Sequence, residues 1–338
     1  MRPLSLSMPG RRFVIGVPFT WLLVFFLLPF LILFYISFVD MGNDISPFKP
    51  IWDSTTGLLK LKYENYWSIF RSTEDGTLFQ TIYIEAYLRS LWYALCTAVL
   101  CLLIGYPFAY FIARSSPSAR PALLMMVMLP FWTSFLLRVY AWKGLLTEGG
   151  WVASALDALH IDQLLMAANL IPGPGQYMNT PFSLVLGMVY TYLPFMILPL
   201  YANLSKMDMR LLEAASDLGA TAWVAFWQVT VPLSRAGIVA GSMLVFILLM
   251  GDYILPQFLG GGKVYFIGNA LVDLFLQSRN WPFGAAVSIA LVAIMFVTMY
   301  FYMRFVLGRG DQRRAANFRG KKPKSSRRCS GRPRNANR

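Results

Sequence analysis

Three observations predict an all-α integral membrane protein. Of the 338 residues, 57% are hydrophobic and only 14% are charged, against about 25% charged in soluble domains. Six apolar stretches each reach the roughly 20 residues that cross a bilayer as a helix. None alternates with a period of 2, so helices rather than a barrel satisfy the backbone in lipid. One His and three Cys support neither a metal centre nor a disulfide framework.

Residues 1–12 form an N-terminal segment ending in Arg11-Arg12, and the first span follows at 13–39, uncharged over 27 residues. That run is longer than the roughly 7–15-residue apolar region of a signal peptide, and no small-residue cleavage site follows it, so it reads as a retained anchor. The next spans are 90–113, without a charge, and 121–142, whose only charge is Arg138. Span 182–204 is uncharged, 236–258 contains only Asp252, and 281–303 is uncharged. Pro29, Pro107, Pro130, Pro194 and Pro199 interrupt these spans and offer bends. Gly237 and Gly241 form a small-xxx-small pair, expected to let helices pack closely.

The orientation follows from the basic residues. With the N-terminus inside, inner segments hold 21 of the 30 Lys/Arg, and the outer segments 40–89, 143–181 and 259–280 hold 8. Both ends are therefore expected in the cytoplasm. Much of the +14 net charge lies in 309–338, where twelve Lys/Arg face one acid, Asp311. This tail is read as disordered, with adhesion to anionic inner-leaflet lipids as the alternative, and without a nucleic-acid role.

The outer segments differ in character. The first carries Pro47, Pro50, Gly57, Gly76 and an aromatic patch at Tyr63, Tyr66 and Trp67. The second contains Pro172-Gly173-Pro174-Gly175, which cannot be helical, after an expected amphipathic surface helix over 151–168.

The inner loop 205–235 is 31 residues long, where about 2–8 would connect neighbouring helices. Leu211, Leu212, Ala215 and Leu218 fall at helical spacing, predicting a short helix with one apolar face. Gly219 stands where a left-handed residue would end it. A second helix over 223–229 then leads to Pro232. A helix–glycine–helix elbow of this kind needs a groove on another protein to receive it.

The segment resembles the EAA loop of ABC-importer permeases: Glu213-Ala214-Ala215, three residues, Gly219, nine residues, then Val229-Thr230-Val231-Pro232. Within that family, Leu129 to Trp142, Tyr192-Leu193-Pro194-Phe195-Met196, Gly241 to Phe246 and Asn280-Trp281-Pro282 are similar to putrescine and spermidine permeases. The resemblance implies a six-helix type I importer permease domain over 13–308, N-in and C-in, in the bacterial inner membrane. It implies that the loop's helix sits in a cleft of a cytoplasmic ABC ATPase. Glu213 would pair with a basic group there, Ala214 and Ala215 would permit close approach, Gly219 would allow the turn, and Ala220 and Pro232 would complete the coupling motif. The implied partners are an ATPase dimer, a second permease (homologous or identical), a periplasmic solute-binding protein and a polyamine substrate. The chain itself has no G-x-x-x-x-G-K-[ST] motif, so it is read as non-catalytic and without a cofactor, with ATP and Mg on the ATPase.

A pathway for flexible aliphatic cations calls for a carboxylate and for aromatic faces. Asp252, the one acid inside a span, is a functional candidate by default, with Trp132, Tyr140, Tyr190, Tyr192 and Trp281 as the aromatic candidates. If spans 3 and 5 are straight helices, Arg138 and Asp252 lie at similar depth, so a structural ion pair is the alternative to substrate contact. Within the importer class, a permease of a related ABC importer for another small solute is the alternative, and two other classes compete with the importer. An ion-coupled secondary transporter calls for inverted repeats and several intramembrane acids. An intramembrane enzyme calls for a nucleophile–base or metal constellation. Neither pattern is present in the sequence.

Overall fold

The computed structural model describes residues 9–42, 47–49, 51, 61–70 and 81–320. Pro50, Gly57, Gly76 and the tail beyond 320 lie outside the described residues. Helices dominate, and among the described residues the only β pairing is an isolated bridge between Met41 and Phe48.

Helix α1 (Pro9–Ile36) is clothed in exposed apolar side chains, with Val14 72% and Phe26 79% exposed, as a helix solvated by lipid requires. It ends three residues before the apolar run does. Asn65 on α2 (Glu64–Trp67) donates to the carbonyls of Ser37 and Val39, satisfying acceptors in the chain just past the helix end. The aromatic patch at Tyr63 and Tyr66 packs on Phe38, fixing that loop to α1.

Helix α3 (Thr81–Arg114) starts nine residues before the expected span. Hydropathy marks where lipid begins, not where the helix does, and an exposed Glu85–Arg89 pair supports the extra turns. With α8 (Pro181–Leu204) and α12 (Arg235–Met250) it forms the packed centre, closed by buried Ala98, Cys101, Met188, Met196, Val245 and Leu249. A Cβ at Gly241 would stand 3.1 Å from the Met196 carbonyl, and one at Gly237 would stand 3.1 Å from the Pro199 carbonyl. The small-xxx-small pair is thus the contact of α12 with α8.

Two expected spans are broken. The stretch 121–142 divides into α4 (Arg120–Met128) with a 3-10 turn (Leu129–Trp132), and α5 (Phe135–Leu146). The two parts meet at 87°. Pro130 has no N–H to continue the ladder, and Thr133 and Ser134 are extended, with ψ of 150° and 136°. The stretch 236–258 divides into α12 and α13 (Ile254–Leu259), with Asp252 between them. The expected single helix over 151–168 is likewise two, α6 (Trp151–Ala158) and α7 (Ile161–Ala167), separated by left-handed His160 at φ 52°.

After α13 the chain turns into α14 (Ile267–Val272) and a π turn (Asp273–Gln277). Buried Ser90 on α3 accepts from the Ile267 N–H at 2.9 Å, tying this hairpin to the centre. Helix α15 (Trp281–Gly320) packs along α1 and runs past the expected end at 303. The first twelve residues of the tail, expected to be disordered, continue the helix. Ala, Arg and Gln there are good helix formers and no proline intervenes.

Candidate functional site

Two places carry the residues singled out by the sequence. The first is the elbow in 205–235. Helix α9 (Arg210–Asp217) ends as expected at Gly219, whose φ is +82°. The Ala220 N–H donates to the Ala215 carbonyl at 3.0 Å and the Gly219 N–H to the Ser216 carbonyl at 2.9 Å, the pair of bonds that defines a Schellman termination. A Cβ on Gly219 would meet nothing within 4 Å, so the demand for glycine there is conformational.

The second arm is longer than the expected 223–229. Thr221 accepts from the Val224 N–H and opens α10 (Ala222–Ala225), followed by a π turn (Phe226–Thr230) and α11 (Val231–Leu233). This arm meets α12 at 65°.

Glu213 and Ala214 are exposed, Ala215, Ala220 and Pro232 half-buried. The apolar face is divided: Leu212 and Ala215 turn inward, while Leu211, Leu218, Trp223 and Trp227 remain exposed, Leu218 by 89%. These exposed apolar side chains stand close in sequence to the exposed acid Glu213 and are not part of a core.

The second place is the break between α12 and α13. Asp252 is buried and receives three hydrogen bonds: from Tyr192 Oη at 3.1 Å, and from the backbone N–H groups of Ile254 at 3.0 Å and Leu255 at 3.4 Å. The carboxylate thus caps α13. Gly268 of α14 passes so close that a Cβ there would stand 2.6 Å from the Asp252 carbonyl.

The Arg138–Asp252 pair does not form. The break at 133–134 invalidates the equal-depth argument, which assumed straight helices. The Arg138 guanidinium instead lies 5.6 Å from the ring centroids of both Phe131 and Phe135, and its buried Nε and Nη1 have no hydrogen-bond partner. Among the described residues no salt bridge joins it to Asp252.

Of the aromatic candidates, only Tyr192 bonds to the acid. Tyr140, 53% exposed, packs edge-on against Phe258 of α13. Tyr190 packs on Trp142, Trp281 on Phe275, and Trp132 is largely exposed. Phe131 and Phe195, not singled out beforehand, stand 5.0 Å apart, and Phe195 neighbours Tyr192. An aromatic bridge therefore runs from Arg138 to Asp252 in place of an ion pair. Adjacency to Pro130 and Pro194 was the available signal for both rings. Among the described residues no three His, Cys, Asp or Glu side chains converge as metal ligands would.

No family model matches the chain. It is 38% identical over 295 residues to the spermidine/putrescine transport system permease protein PotB of Haemophilus influenzae, covering 87% of this chain and 93% of that one. To the Escherichia coli protein of the same name it is 36% identical over 284 residues, covering 84% and 93%. To the E. coli inner membrane ABC transporter permease protein YdcU it is 36% identical over 228 residues, covering 66% and 71%. In fold it is similar to a chain in a bacterial ABC transporter involved in the import of the acidic polysaccharide alginate. The TM-score is 0.55 at 17% identity, over 88% of this chain and 96% of that one. It is equally similar to a chain of such a transporter in complex with an alginate pentasaccharide-bound periplasmic protein, with a TM-score of 0.55 at 17% identity, over 87% and 95%.

Proposed function

The chain belongs to the family of spermidine/putrescine transport system permeases of ABC importers, and on that premise we propose how it works. It is the membrane-spanning subunit through which putrescine and spermidine cross the bacterial inner membrane. Four helices are long and apolar enough to span alone, and counting the two bent pairs as one span each gives six. With the basic loops inside, both ends and the Gly219 turn are cytoplasmic, and the second arm of the elbow leads into the span that α12 completes.

The elbow carries the reading. Its Schellman turn at Gly219 sets two helical arms at a fixed angle and leaves Leu211, Leu218 and Trp223 uncovered. In the assembled importer this surface enters the cleft of an ABC ATPase, with Glu213 paired to a basic group of the cleft. ATP hydrolysis belongs to that subunit. Two permeases over two ATPases complete the membrane part, and a loaded periplasmic binding protein docks on the opposite side. Closure of the ATPases moves α9 and, through α10 and α11, the base of α12. The far end of α12 is the break holding Asp252. A polyamine ammonium passing there exchanges hydration for the carboxylate and the faces of neighbouring rings such as Tyr192 and Phe195. Tyr140, Tyr190, Trp132 and Trp281 line the approaches.

The experiment is co-expression with the ATPase, second permease and binding protein, followed by reconstitution into vesicles. Uptake of radiolabelled putrescine that requires both ATP and binding protein is the expected result. Uptake driven by a proton or sodium gradient without the ATPase would overturn the reading.

A further inference from the structure

The pivot between the elbow and α12 is held from a third helix. Ser234 sits at the apex of the 65° bend, 1% exposed, with φ −87° and ψ 3°. Its hydroxyl donates to the Val231 carbonyl at 3.1 Å and lies 2.8 Å from the Tyr106 hydroxyl on α3. Serine has one hydroxyl proton to give, so Tyr106 is the donor of the shorter bond. A relay runs from Tyr106 O–H to Ser234 Oγ to the Val231 carbonyl, crossing from α3 into the turn that precedes the bend.

That turn is not fully satisfied as it stands. Thr230 is fully buried and its Oγ1 has no partner, which buried hydroxyls rarely tolerate. It ends a π turn, a winding found mostly in single turns at functional sites, and Pro232 just beyond supplies no N–H. The arm is therefore irregularly wound just before the bend, and its contacts to α3 hold it there. Phe226 in the same π turn is gripped edge-on by Tyr106 at 5.5 Å and Tyr110 at 6.0 Å. The rings locate the arm against α3, and the Tyr106 hydroxyl pins its pivot.

We propose that Tyr106 is a positioning residue of the transport cycle, whose hydroxyl stiffens the Ser234 pivot so that displacement of the elbow reaches α12 instead of dissipating as rewinding of 226–233. This rests on the reading of 205–235 as the ATPase contact. Tyr106→Phe keeps the ring against Phe226 and removes only the donor, while Ser234→Ala removes the acceptor.

The measurement is putrescine transported per ATP hydrolysed by the full complex in vesicles. Tyr106→Phe lowers that ratio about fivefold, the factor of one neutral hydrogen bond, and Ser234→Ala, which also removes the bond to the Val231 carbonyl, lowers it by at least as much. The double variant lowers it no further than Ser234→Ala alone, because that substitution already removes the Tyr106 bond, and Ser234→Thr retains the wild-type ratio. Reduced complex yield with an unchanged ratio would mean that the bond merely supports folding, and would overturn the proposal. A wild-type complex that transports without its ATPase would overturn the coupling reading itself, so the two failures are distinguishable.

Discussion

The Tyr192 hydroxyl donates to the Asp252 carboxylate across 3.1 Å, joining the middle of α8 to the break between α12 and α13. With the Ile254 and Leu255 N–H groups on the same carboxylate, Asp252 is both the cap of a short helix and the one acid of the apolar stretch 236–258. Substitution separates these roles.

Asp252→Asn keeps an acceptor oxygen for the α13 N–H groups but removes the charge. Complex yield stays near wild type while polyamine uptake falls by at least about tenfold, the loss of one charge-assisted contact. Asp252→Ala also removes the cap, at a cost of about 1 kcal/mol, and lowers yield as well. Full uptake by Asp252→Asn would assign the residue to structure alone.

Arg138→Gln does not rescue Asp252→Asn. The two charges are not paired in this fold, so the double variant combines the single effects and shows no recovery of yield or uptake. Recovery of both would demonstrate a direct ion pair and contradict the aromatic bridge through Phe131 and Phe195.

Gly241→Val weakens the contact of α12 with α8. The added side chain meets the Met196 carbonyl and sulfur, and the backbone must shift at a cost of about 1–3 kcal/mol or more. Assembled complex falls several-fold in detergent extracts, while Gly16→Val, where nothing lies within 4 Å, leaves it unchanged.

Deleting 311–338 removes eleven basic residues and Asp311. Arg304 and Arg309 still flank the apolar part of α15 and keep the basic signal on which the proposed orientation rests, so topology probes and uptake remain within about twofold of wild type. Loss of uptake at normal abundance would give the tail a role in transport.

The Gly219 elbow was legible in the sequence because a left-handed residue after an amphipathic run is a local signal, written within about ten positions. The α12–α8 contact was legible for the same reason, through Gly237 and Gly241. The breaks at 133–134 and 251–253 were not. Hydropathy sums side chains and does not register a backbone that leaves the helix inside an apolar stretch, so Arg138 and Asp252 were placed by counting residues along helices that do not continue. The Tyr192–Asp252 and Tyr106–Ser234 bonds join residues 60 and 128 positions apart. No periodicity in one chain encodes such partners; they follow only from the packing of α3, α8 and α12.

The central claim, that polyamine transport by this chain is driven through the Gly219 turn, is tested most directly by one paired measurement. Putrescine uptake and ATP hydrolysis are followed together in vesicles holding the complex with wild type, Gly219→Asn or Gly219→Val. Asn tolerates the left-handed conformation at φ +82° and a β-branched residue does not. The account predicts substantial coupled uptake for Gly219→Asn, and for Gly219→Val an inserted permease whose ATPase no longer drives uptake. Wild-type uptake per ATP hydrolysed in Gly219→Val would contradict it.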